Sequence, residues 1–422
     1  MLPRRRLLST ILLLFTCSVS VALLPATASP ASRAGQEGFE RPAPLRARDL
    51  LKPEILRGPS HAVEERVEND GLFNHYTVTS PFGTFKANST SALYTLVREI
   101  HAIAAMKKVA SDETATEALK QSGKKTIAGL KSLFNDPGTT LEGAVNGVNS
   151  LFNRAAVSLG SREPTAAEDS RMAQFIGLSK SKGQIATRFL VSMYSRNPVL
   201  QEELDRLALA DYLGGLGVGV ATAVVPGVGG LILTTSGTAR LLNEAINNTP
   251  ASELWLQNRN RLVRLGMDAD TVELFLNNPN FSPATATVLT TALGRLQGVT
   301  DLELLLKVAL QAGDADMART ITETAVLAAG FHRNIAPLSR FLPMARLFCA
   351  EKQDGALAVI LPTDHMIWSA RVADVAEGLT GKAKKGVEIW TFGDFSTKAR
   401  SELEHLGWQL HPNALRKMLP AT

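Results

Sequence analysis

Apolar residues follow several distinct rhythms along this 422-residue chain. Leu7 to Leu24 is an almost continuous apolar run, preceded by Arg4, Arg5 and Arg6. Residues 29–58 show no period and are rich in Ala, Pro, Arg and Glu, which predicts an extended tether. Phe73 to Thr79 alternates in places, Ser80-Pro81-Phe82-Gly83 supplies turn chemistry, and Thr84 to Asn88 returns, so a β-hairpin is expected there.

Helical spacing takes over after the hairpin. Ser89-Thr90-Ser91 can cap a helix whose apolar positions Leu93, Leu96, Val97, Ile100, Ile103 and Ala104 follow a 3.6-residue period. Further helices are predicted after Ser111-Asp112, after the Thr139-x-x-Glu142 capping box, and after Asn197-Pro198. Asp268 to Asn277, Ser282 to Leu296, Asp301 to Ala312 and Asp314 to Ala329 each begin with a residue suited to an N-cap. Their lengths vary without a fixed repeat, which argues against a regular solenoid.

The last seventy residues change character. Ala356 to Leu361 is a bounded apolar run, Val387 to Phe392 is β-rich, and Trp408-Gln409-Leu410 makes a third short strand, with helical patterns near 366–379 and 395–406. Strand, helix, strand, helix, strand predicts a small parallel sheet with right-handed crossovers. The expected fold class is therefore mainly α: an irregular helical bundle with a short N-terminal β-hairpin and a small C-terminal α/β lobe of parallel βαβαβ type. The corresponding domains are 59–160 (hairpin plus helices), 183–345 (helical) and 350–415 (lobe).

Read for targeting, residues 1–28 have the form of a cleavable export signal: a basic start, an apolar run, and Ala26-Thr27-Ala28 as an A-x-A site that predicts a mature start at Ser29. The arginines loosely fit a twin-arginine pattern, Cys17 invites a lipoprotein reading, and the apolar run is of borderline length for an uncleaved anchor. The run's strength, together with Phe15 and Thr16 ahead of Cys17, favours ordinary secretion into a periplasmic or envelope compartment, in a bacterium. Removing residues 1–28 takes away three arginines and no acid, so the formal charge falls from +5 to +2. No nucleic-acid footprint remains, and Lys382, Lys384 and Lys385 read as a solvated turn. Cys349 is then the only cysteine, which excludes an intramolecular disulfide and zinc sites built from paired cysteines. Its apolar surroundings predict a buried, inert thiol.

Two segments carry candidate function. Between Asp211 and Arg240 lie 28 uncharged residues, 212–239, which include Gly215, Gly219, Pro226, Gly227 and Gly230. Small residues at this density let helices pack backbone to backbone, either as a buried hairpin in the protein core or in a bilayer, where Pro226-Gly227 would break the span. In the C-terminal lobe, ligands of a parallel sheet sit beyond the carboxyl ends of the strands. Those ends carry Asp364, His365 and Asp394, two carboxylates and an imidazole able to activate water or hold a metal. The plainer reading of both aspartates is helix capping. His75 with His101, and Glu402 with His405, are weaker pairs that lack a third ligand. Searches for a G-x-S-x-G elbow, a P-loop, H-E-x-x-H, an EF-hand loop and a dinucleotide fingerprint find nothing in the sequence.

These observations lead to an exported envelope protein that works by binding, with a membrane or another envelope protein as partner and no cofactor or metal. The alternative is a hydrolase, or a small-ligand or metal-binding enzyme, built on Asp364, His365 and Asp394.

Overall fold

The computed structural model describes residues 38–110, 166–212, 237–344 and 347–420. The chain divides into two units, Met1–Phe39 and Glu40–Thr422, and the elements below belong to the second. The glycine-rich positions Gly215, Gly219, Pro226, Gly227 and Gly230 lie outside the described residues.

The amino-terminal region is a six-stranded antiparallel sheet rather than a lone hairpin. Its strands are β1 (Leu45–Arg46), β2 (Arg57–Gly58), β3 (His61–Val63), β4 (Arg66–Asn69), β5 (Asn74–Ser80) and β6 (Gly83–Ala87), with short helices α1 (Ala47–Leu50) and α2 (Pro53–Leu56) between the first two. β5 is the centre: it pairs with β3 and β4, and along its length with β6. Strict alternation makes it so, because Asn74, Tyr76 and Val78 are buried while His75 and Thr77 turn outward. The β5–β6 turn places Gly83 at φ +130°, a left-handed conformation that glycine adopts without a Cβ penalty. Residues 45–58, which lack any sequence period, are folded in, with Ala47, Leu51 and Ile55 buried.

Helix α3 (Thr90–Ala110) lies on this sheet. Leu93, Leu96, Val97 and Ile100 pack against Val63, Val67, Tyr76 and Val78. Farther along, Ala102, Ile103 and Met106 pack against α4 (Ala166–Arg188) and α5 (Pro198–Tyr212). Buried polar groups fasten the same helix. Glu99 accepts hydrogen bonds from Ser195 Oγ (2.6 Å) and Asn197 Nδ2 (3.1 Å), and Lys107 reaches Glu203 at 2.7 Å.

A helical layer follows: α6 (Gly237–Asn247), α7 (Ala251–Arg264), α8 (Ala269–Leu276), α9 (Pro283–Leu293), α10 (Glu303–Ala309) and α11 (Ala315–Asn334). Asp268, Ser282 and Asp314 cap α8, α9 and α11 by accepting from Thr271 N (2.8 Å), Thr285 N (3.1 Å) and Met317 N (2.7 Å). Helix α11 is buried along most of its length, and its alanines allow neighbours to approach closely.

The carboxyl-terminal sheet is mixed, which corrects the expected parallel lobe. Its strands are β7 (Leu338–Met344), β8 (Leu347–Lys352), β9 (Leu357–Leu361), β11 (Val387–Thr391) and β13 (Gln409–His411), in the order β13-β11-β9-β8-β7. β9, β11 and β13 are parallel and joined through α12 (Ala370–Thr380) and α13 (Thr397–His405). β7 and β8 extend the sheet antiparallel. A separate parallel pair, β10 (His365–Met366) with β12 (Asp394–Phe395), lies beyond the strand ends, and α14 (Leu415–Met418) closes the chain.

The mainly helical bundle with a parallel lobe is thus overturned at both ends. Strands of two to four residues are too short to show a period of two, and the run from Leu338 to Lys352 is apolar enough to pass for helix. Cys349 lies in β8. It is buried, and burial pushes its thiol up to about 12.

Both faces of this second sheet are covered. Leu357, Val359, Val387 and Ile389 pack against α12 and α13. Ala350, Ala358, Ile360 and Trp390 join the helical layer in the largest core. Phe331 of α11 meets Trp390 edge to face at 5.3 Å, joining helix to sheet. Phe331→Ala is therefore expected to destabilise the protein by about 3–5 kcal/mol, and Phe331→Leu by clearly less, as read by urea unfolding.

Candidate functional site

The loops beyond β9 and β11 converge, but their side chains do not. Backbone bonds hold the two segments together: Gly393 N to Thr363 O (2.7 Å), Asp394 N to Asp364 O (3.1 Å) and Ser396 N to Met366 O (2.8 Å). Residue 393 must be glycine, because a Cβ there would stand 1.7 Å from the Asp364 carbonyl oxygen. His365 is in register with Asp394. Successive side chains of an extended segment point to opposite sides, so Asp364 and His365 serve different environments.

Asp394 is exposed, and its Oδ1 accepts from Arg400 Nη2 and from Phe395 N, each at 2.7 Å. His365 is half-buried; burial pulls its imidazole below the usual range, against the opposing charges of Asp394 and Glu40. Glu40 itself straps the pair, bonding Trp368 N (2.6 Å) and Ser396 Oγ through Oε2. Neither aspartate caps the helix that follows it. Ser369 caps α12 and Ser396 caps α13.

Asp364 turns inward and is 8% exposed. Its Oδ2 accepts from Asn74 N at the start of β5 (3.0 Å) and from Thr90 N at the start of α3 (2.9 Å). It therefore caps a helix, but one 274 residues away in sequence. Ser89 Oγ takes another free N–H of α3, that of Ala92, at 3.0 Å. Around this point Tyr76 Oη bonds Thr90 Oγ1 (2.9 Å) and accepts from Asn74 Nδ2 (3.3 Å), while Asn69 Nδ2 bonds Asn74 Oδ1 (2.9 Å). Burial raises the Tyr76 phenol above its usual range.

One residue along α3, Ser91 Oγ donates to Glu323 Oε1 of α11, a second carboxylate only 6% exposed. Burial raises Asp364 to about 6 and Glu323 to about 7. Arg319 opposes both shifts, but it also pairs with Asp316 at 2.8 Å. Glu323, Asn74, Tyr76 and Arg319 were not singled out by the sequence. The signal available was a lone glutamate at helical spacing with buried Leu327, in a helix otherwise facing the core.

The histidine pairing also differs from the one the sequence suggested. His61, not His75, meets His101, with Nδ1 and Nε2 3.1 Å apart. His61 Nε2 contacts the Ile55 carbonyl at 2.9 Å; a carbonyl only accepts, so that nitrogen carries the hydrogen and Nδ1 accepts from His101. Burial holds both imidazoles below the usual range. His75 bonds Asn88 Oδ1 (3.1 Å) and faces Asp70 (3.2 Å). It lines a depression of about 210 Å³ on the first sheet, with Glu64, Arg66, Glu68, Thr77, Lys86 and Asn88.

Among the described residues no group of three or more His, Cys, Asp or Glu is placed to hold a metal ion. None of the described helices is long and apolar enough to cross a membrane. Comparison of the chain with protein-family models, with curated proteins and with solved structures gives no match.

The two aspartates should respond very differently to truncation. Asp364→Ala leaves two buried N–H groups without an acceptor and is expected to cost about 2–4 kcal/mol in urea unfolding. Asp394→Ala removes an exposed ion pair and is expected to cost less than about 1 kcal/mol.

Proposed function

We propose that this chain is an exported cell-envelope protein that acts by binding rather than by catalysis. The observation that carries the non-catalytic half is the use made of the candidate acid and base groups. Asp364 is committed through Oδ2 to two backbone N–H groups inside the protein, and Asp394 is held by Arg400 and Phe395 N. A general acid or base has to reach a substrate proton at about 2.6–3.2 Å, directly or through one water, and a carboxylate 8% exposed and doubly bonded is poorly placed to do so. Support for export is the order of basic, apolar and small residues over positions 1–28. The partner is a membrane or another envelope protein.

Fractionation of cells expressing the full chain, with a carbonate wash of the membranes and mass determination of the mature amino terminus, tests the location. The expected result is a chain beginning at Ser29 in the periplasmic or envelope fraction. A chain that keeps Met1 and stays in the cytosol overturns it. For the mode of action, a deletion strain carrying the His365→Ala/Asp394→Ala variant should behave as the strain carrying the native gene. Loss of that behaviour with unchanged melting temperature would establish chemistry at the strand ends instead.

A further inference from the structure

We propose that His61 and His101 form an acid-released catch: neutral or singly protonated, the pair fastens β3 and the α2–β2 corner to α3, and a second proton breaks that contact.

The argument is a count of hydrogens. His61 Nδ1 and His101 Nε2 face each other at 3.1 Å, with the ring centroids 5.1 Å apart. His61 Nε2 already donates to the Ile55 carbonyl at 2.9 Å, so the gap between the rings holds one hydrogen, supplied by His101. One added proton is tolerated, because His61 Nδ1 then donates and His101 Nε2 accepts. A second puts a hydrogen on each facing nitrogen and sets two positive rings in contact. The rings are hemmed in as well. His61 is 4% exposed, and a Cβ added to Gly58 would stand 2.6 Å from His61 Cε1 and 3.3 Å from His101 Nε2.

No carboxylate on the elements around the pair offsets the second charge. Glu54 of α2 acts on Tyr94, Arg98 and Glu99 of α3 act on each other, Lys107 pairs with Glu203, and Arg57 of β2 and Lys108 of α3 are exposed. The charge that acts on His101 is that of His61 itself. Parting of the rings would draw Ile55 and Val63 away from Val97 and Ile100, with which they share one apolar core.

The direction follows from linkage. The closed pair takes at most one proton, whereas the parted rings take two near the usual imidazole value of 6.5, and burial pulls both further down while closed. The contact is therefore fully supported above about pH 7 and loses support as pH falls through 6.5. Burial shifts Glu99, Glu323 and Asp364 upward, which acts in the opposite sense elsewhere, so whole-protein melting mixes the two.

Hydrogen–deuterium exchange of the full chain at pH 5.0 and 7.5, with rates normalised to intrinsic chemical exchange, reads the contact locally. Peptides covering residues 55–63 and 97–104 should open about thirtyfold more at pH 5.0, while residues 357–361 stay protected. His101→Gln keeps a donor and an acceptor in the gap but does not titrate, so its rise should be smaller by about tenfold. No rise in the native chain, or an equal rise in the variant, overturns the catch. If the variant does not fold, nitrogen-15 spectra of histidine-labelled native protein decide. They should show at most one imidazolium in the pair while residues 55–63 remain protected, and two would overturn it.

Discussion

A buried carboxylate that bonds two backbone N–H groups is the contact on which this arrangement of layers turns. The start of α3 has free N–H groups, as any helix does, and here they face the protein interior. Ser89 satisfies one of them locally, and Asp364 satisfies another from the far end of the chain. Removing a carboxyl from water is unfavourable, and its raised proton affinity is the mark of that penalty. The same enclosure makes the bonds it forms specific, since no solvent is at hand to replace them.

Helix α3 acts as a spine because different turns answer to different neighbours. Its first turn is held by Asp364 and Glu323. Its middle carries Glu99, whose carboxyl is raised by burial and held by Ser195 and Asn197. Its last turns bring Lys107 to Glu203, which stays below the usual carboxyl range despite desolvation because Lys107 and Arg206 surround it. Apolar packing supplies the bulk of the contact along the same helix, with Leu93 to Ile100 on the sheet and Ala102 to Met106 on the following helices. The polar anchors choose among the ways such a greasy stripe could dock.

Much of the helical layer was legible because its signals are local. Asp268, Ser282 and Asp314 sit one residue before helices and bond the N–H three residues on, as their positions implied. The β9, β11 and β13 runs were likewise visible as short apolar stretches between turn residues. What failed was the sheet beyond them. β7 and β8 contain helix-compatible residues, and only pairing makes them strands, β8 with β9 and β7 with β8. The two-residue strands β1 and β2 carry no period at all and exist through their partners β4 and β3.

The candidate site divides in the same way. The sequence alone determined that Asp364, His365 and Asp394 follow short apolar, strand-like runs bounded by turn residues. Only the tertiary structure decided where the side chains go. His365 and Asp394 share one register, while Asp364 points into a helix start 274 residues earlier in the chain. Capping within a helix is written in residues three apart, and period and turn chemistry are written in neighbours. A carboxylate that caps another element answers to a partner whose distance in space bears no relation to distance along the chain, so no local pattern encodes it.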